Sequence, residues 1–113
     1  MPRDPKLTPG VIDKTLTAAY LCSTRTKLRR KATAKEKRSV YESYGIPKLK
    51  RVLYRLDDLI PLSLGGVNTI GNLWPQPLTQ SLQKDRMENK LRKEVCAGNM
   101  SLQEAQQYFK DNY

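Results

Sequence analysis

Histidine is absent from this chain of 113 residues, cysteine occurs twice, and Trp and Phe occur once each. With no His, and with Cys22 and Cys96 lying 74 positions apart, the usual Cys and His ligands cannot assemble a zinc knuckle. Long apolar runs are also missing. Nothing approaches the ~18 consecutive apolar residues of a membrane-spanning helix, so no membrane partner is expected. The first ten residues, MPRDPKLTPG, lack the apolar stretch that heads a secretory signal, and no signal peptide is expected in this sequence. Acidic residues are scarce at one end only. Residues 1–51 hold 14 Lys and Arg against four Asp and Glu, while residues 52–113 hold seven of each.

The formal charge of +10 therefore comes entirely from the first half. A one-sided basic field attracts polyanions, and phosphate backbones are the commonest such partner. A solvated face that keeps the protein soluble explains the same charge, and composition weighs the two equally. Apolar content of 38% in a chain this short supports a single domain with one modest core, 1–113, helped by a ligand or a crosslink. By spacing alone the two cysteines are either buried thiols or one long-loop disulfide.

In chain order, residues 1–10 carry three prolines and a Gly and read as an extended arm. Val11, Ile12, Leu16, Ala19 and Tyr20 suggest a short helix over Val11–Cys22. Arg25, Lys27 and Arg29 alternate with Thr26 and Leu28, a pattern that would align three charges on one face of a strand. Thr33 and Glu36 have the spacing of a capping box, opening a helix that runs to Gly45. Val52, Tyr54 and Leu56 alternate with Leu53, Arg55 and Asp57 as in a short strand. Pro61 breaks the apolar run Leu59–Leu64, Gly65-Gly66 makes a turn requiring positive φ, and Val67–Gly71 is a loop ending at Asn72. Leu82, Met87, Leu91 and Val95 mark a helix over Gln80–Ala97 closed by Gly98. Ser101 and Glu104 form a second capping box, before a last helix with Leu102, Ala105, Tyr108 and Phe109 inward.

The stretch Tyr54–Pro77, YRLDDLIPLSLGGVNTIGNLWPQP, carries the chemistry. Its order of Asp-Asp, Leu-Ile-Pro-Leu, Leu-Gly-Gly, Asn and Asn-Leu-Trp-Pro-Gln-Pro, followed by Lys84–Asn89 (KDRMEN), resembles the HNH or His-Me finger endonucleases. Small bacterial and phage members read D-H-L-I-P-L-x-L-G-G-x-N followed by N-L-W-P-Q-P. The likeness extends to Leu7–Gly10, Cys22, Tyr44-Gly45, Val95-Cys96 and Ser101–Gln106, so it covers nearly the whole chain. It implies an α+β fold: a ββα-metal finger over 52–97, with a basic N-terminal extension over 1–51 and two C-terminal helices, the last within 98–113.

The resemblance also implies metal-dependent hydrolysis of DNA phosphodiester bonds, with RNA as the other candidate polymer. Asp57 matches the metal ligand, Asn72 the Asn that ties the loop to the finger, and Asp58 the place of the catalytic His. A carboxylate has a reference pKa of about 3.9 against about 6.5 for imidazole, so Asp58 is the poorer base and impaired cleavage is expected. The alternative is a catalytically dead nuclease-derived module that binds nucleic acid. The implied cofactor is Mg²⁺, with Mn²⁺ or Zn²⁺ as substitutes. Two adjacent carboxylates on an irregular strand end would hold such an ion and let metal-bound hydroxide replace the missing base. The third ligand position falls nearest Leu82, which cannot bind metal, leaving Asp85 as the candidate and Glu88 as a surface-pairing residue.

Arg25, Lys27, Arg29, Arg30, Arg51, Arg55, Lys84 and Arg86 are expected to meet backbone phosphates without reading bases. Trp74 is expected to be a core anchor. Cys22 and Cys96 match positions where secreted members tend to carry Cys, which favours the disulfide. Such a pair places the protein in the periplasm or outside the cell, and free thiols in the cytoplasm. No feature sets an oligomeric state.

Overall fold

The computed structural model describes residues 2–113, apart from the side chains of Lys27 and Leu28. Both capping boxes form. The Thr33 side chain accepts from the Glu36 N–H and the Glu36 side chain from the Thr33 N–H, opening α2 (Ala34–Ser43). Ser101 and Glu104 do the same for α4 (Leu102–Asn112), the last helix. Each exchange satisfies two backbone donors that a helix start leaves unpaired. Between them α3 (Leu78–Cys96) runs 19 residues, followed by Gly98 at φ 79°, a conformation glycine takes without strain.

The first helix is shorter than expected. α1 (Ala18–Ser23) starts only at the Thr17 cap, because residues 11–13 are extended against the central loop. Val67 N–H donates to Val11 O, Asp13 N–H donates to Gly65 O, and Ile12 bridges Gly66. Thr26–Arg29 is a 3-10 turn and not the expected strand. No neighbouring strand pairs with it among the described residues, and local i→i+3 bonds satisfy an unpaired backbone more simply.

The sheet is two antiparallel strands, β1 (Tyr54–Asp58) and β2 (Leu73–Pro77), with Asp57 opposite Trp74 and Asp58 opposite Leu73. The alternation that predicts β1 begins at Val52, but Lys48–Leu53 is a 3-10 helix and its Val52 and Leu53 are exposed. Pro75 and Pro77 sit in β2 because each strand of a two-stranded sheet has an open edge, where a missing N–H costs nothing. A lone hairpin is marginal in water, and this one is stabilised by packing against α2 and α3.

Two apolar clusters hold these pieces. Leu21, Leu64, Leu91, Val95, Leu102, Ala105 and Phe109 join α1, α3 and α4. Leu59, Ile60 and the Trp74 ring, 2% exposed, form the second cluster under the sheet, so Trp74 is a core residue. At ~1.5–3 kcal/mol for each large side chain removed from water, these clusters are the main favourable contribution to the fold. The N-terminal arm is fastened to them. Arg3 donates to Thr8 O at 2.7 Å and to Lys110 O at 2.8 Å, and buried Thr8 donates to Leu73 O at 2.9 Å. A disulfide joins Cys22 on α1 to Cys96 at the end of α3. No helix among the described residues is long and apolar enough to cross a membrane.

Candidate functional site

The irregular chain between the strands is shaped by two glycines for different reasons. Gly65 has φ 91° and ends the 3-10 turn Leu62–Leu64. Gly66 has no positive φ; a Cβ there would overlap the Ile60 carbonyl. The close approach lets fully buried Asn72 reach across. Its Oδ1 accepts from Ile60 N at 3.0 Å and Val11 N at 3.4 Å, and its Nδ2 donates to Ile60 O and Val67 O, both at 3.0 Å. Asn72 therefore braces the segment following β1.

That brace presents the end of β1 to a cleft of about 280 Å³, lined by Arg30, Arg55, Asp57, Asp58, Asp85 and Glu88 among others. Among the described residues, the two neighbouring acids share no cation through their carboxylates. Asp58, 7% exposed, accepts from Asn68 Nδ2 at 3.1 Å and faces Arg30 at 3.6 Å. Burial pushes its pKa above the ordinary carboxylate value against the opposing Asn68 bond, and Asp57 pushes the same way. Asp57 instead meets Lys84 Nζ at 2.7 Å and Arg55 at 3.5 Å.

Lys84 is the unexpected member. Expected on a phosphate-facing surface, it is fully buried. Its Nζ donates to Glu88 Oε1 at 2.9 Å and to the Asp58 carbonyl at 3.0 Å, while the Asp57 contact is a charge contact without hydrogen-bond alignment. Burial alone would lower the Lys84 pKa, but Asp57 and Glu88 outweigh it and the ammonium is held above the usual lysine value. Burial raises Glu88, partly offset by Lys84. Asp85, the candidate third metal ligand, pairs instead with Arg55 through contacts of 2.9 and 3.3 Å, and these bonds raise the Arg55 pKa. Leu82 is exposed on α3.

The implied divalent ion does not fit this arrangement. Asp57, Asp58, Asp85 and Glu88 each face an arginine or lysine, and no group of three Asp, Glu or Cys among the described residues converges as a metal site. Lys84 occupies the point where the Asp57 and Glu88 carboxylates meet.

Of the expected phosphate contacts, Arg25, Arg30 and Arg86 are exposed, and only Arg30 among these lines the cleft. Arg29 is half-buried, and its guanidinium has no hydrogen-bond partner among the described residues. Arg51 donates to Ile46 O at 3.3 Å and lies 5.1 Å from the Tyr41 ring centre, and Arg55 faces the cleft acids. The Lys27 side chain lies outside the described residues.

Of the residues that hold the cleft acids, Asn68 carried no role in the sequence reading and Lys84 carried a different one. Asn68 holds Asp58 with its amide and accepts from the N–H groups of Lys31 and Ala32 at 2.8 and 2.7 Å, tying the basic segment to the acid. Its signal was its place at the close of the Gly-Gly-Val-Asn run. Positions 84, 88, 91 and 95 fall on one helical face whose Leu91 and Val95 are buried, but the rhythm read through Leu82 turned Lys84 away from it. No family model, curated protein or solved structure matches this chain.

Proposed function

We propose that this chain is an HNH-type, ββα-finger nuclease domain that binds the DNA backbone and whose hydrolytic power is curtailed by Asp58 at the general-base position. The observation that carries the reading is the placement of the Asp58 carboxylate: it ends β1, is held by Asn68, and lies in a cleft beside exposed Arg30. A carboxylate there can take a proton from water as the water oxygen forms its bond to phosphorus. The bond to the leaving sugar oxygen then breaks, and that oxygen regains a proton from solvent. An arginine beside the phosphate stabilises the charge that builds up. The basic N-terminal half supplies sequence-independent attraction, and the Cys22–Cys96 bond supports work outside the reducing cytosol, in the periplasm or beyond the cell. The cation engaging each cleft carboxylate favours a second reading, a module that binds DNA and has lost cleavage altogether.

Supercoiled-plasmid nicking by the native chain and by Asp58→His, in EDTA and in Mg²⁺, separates these. Restoring an imidazole should raise nicking by ~100-fold or more, the scale of a positioned general base. DNA binding should weaken steeply with salt in both proteins. Cleavage by the native chain excludes the pure binding reading. Absence of nicking in both proteins, together with salt-insensitive or absent DNA binding, overturns both.

A further inference from the structure

We infer that Lys84 is a built-in cation standing where a divalent metal would otherwise bind, so that this domain engages DNA without any metal ion. The inference deepens the nuclease reading and rests on it only for the identity of the polymer. Three oxygens surround the ammonium: Asp57 Oδ2 at 2.7 Å, Glu88 Oε1 at 2.9 Å and the Asp58 carbonyl at 3.0 Å. They come from β1 and α3, the two elements whose acids face the cleft. Behind the ammonium lie the rings of Phe109 and Tyr113, with centres 5.1 and 5.7 Å from Nζ. A ring face attracts an ammonium but offers a hard cation no lone pair. Mg²⁺ requires about six oxygens near 2.0–2.1 Å and gives up its waters reluctantly. With the ammonium seated in this half-shell of three oxygens, a divalent ion has no room to gather them into a shell of its own.

The chain supplies this charge covalently. Lys84 is 0% exposed and lies on the same face of α3 as Leu91 and Val95, so withdrawing it would require reopening the core. Arg55 completes the substitution by bridging Asp57 and Asp85, a second acid expected to face metal. Lys84 itself does not reach the substrate. It is a positioning residue that holds the Asp57 carboxylate and the backbone of Asp58.

Mn²⁺ uptake, read from the paramagnetic resonance of free Mn²⁺ and from melting temperature, tests this on the intact disulfide-bonded chain. The native protein should take up no Mn²⁺ at micromolar concentrations, its melting temperature should not move, and its DNA affinity should be the same in EDTA as in micromolar Mn²⁺. Lys84→Ala should take up about one Mn²⁺ per chain through the freed carboxylates and be stabilised by it. Stoichiometric uptake by the native protein that is lost in Asp57→Asn overturns the inference, as does DNA binding that requires Mn²⁺. A folded Lys84→Ala that ignores Mn²⁺ also overturns it, because the lysine would then be an ordinary buried ion-pair partner. If Lys84→Ala does not fold, the native titration with its Asp57→Asn control decides. Absence of DNA binding in both buffers counts against the nuclease reading alone and leaves the Mn²⁺ result standing.

Discussion

Asn72 makes four hydrogen bonds with one side chain, all to the backbone of neighbouring segments and none reaching solvent. Replacing it with Ala strands the Ile60 N–H and the Ile60 carbonyl, each costing ~1–3 kcal/mol when buried unpaired, while the Val67 carbonyl keeps its bond from the Thr69 N–H. Asn72→Ala should lose about 3 kcal/mol in urea unfolding, and Asn72→Asp more, since a carboxylate cannot donate and would place a charge beside the Ile60 and Val67 carbonyls. The position was legible from the motif. Gly66 was legible only in part. Its neighbour has the positive φ a Gly-Gly turn predicts, whereas Gly66 is required by its closeness to Ile60, a long-range contact no local pattern announces.

Helices were read best where a local device sets them. The capping boxes of α2 and α4 are complete within four residues of sequence, so their starts could be named from the chain alone. The same device makes α2 sensitive to acid. The bond from the Thr33 N–H, then the Thr33 side chain, holds the Glu36 carboxyl below its ordinary value of 4.5. In the unfolded chain Glu36 binds its proton more readily, so its contribution is full above 4.5 and is lost as pH falls through the lower folded value. Glu36→Gln keeps an acceptor for the bond and does not titrate. Its urea midpoint should fall less than the native one between neutral pH and a pH of about 3. The strand reading of Arg25–Arg29 failed at this same scale, because alternation makes a strand only when a partner lies alongside. β2 was hidden for the opposite reason: its two prolines argue against a strand until its partner is known to leave one edge open.

For the whole molecule, the distribution of charge along the chain could be read off, but not how the cleft would settle its charges. The acids and bases of residues 55–88 come from β1 and from α3, some 30 positions apart, and their pairing depends on the α3 face turned inward. The apolar rhythm suggested a face through Leu82, and the actual face runs through Lys84. The disulfide spacing was equally silent, and only the family likeness favoured the pair. Closing a loop of this length restricts the unfolded chain by about 4 kcal/mol in the entropic estimate. Because Cys96 is exposed, dithiothreitol should reach the bond. The reduced protein should lose stability on that scale in urea, and an increase of two thiols per chain should accompany the loss.

The cystine also changes what kind of object the chain is. From residue 22 to residue 96 the backbone closes on itself as a covalent ring, and every acid and base of the cleft is threaded on that ring. The chain before residue 22 and the chain after residue 96 are its two tails, joined to one another by the Arg3 hydrogen bond to the Lys110 carbonyl and by the packing of Leu21 against Leu102, Ala105 and Phe109. A protease that cuts the ring once therefore opens a circle and detaches nothing: the cleft stays on one molecule, and two fragments separate only after a thiol is added.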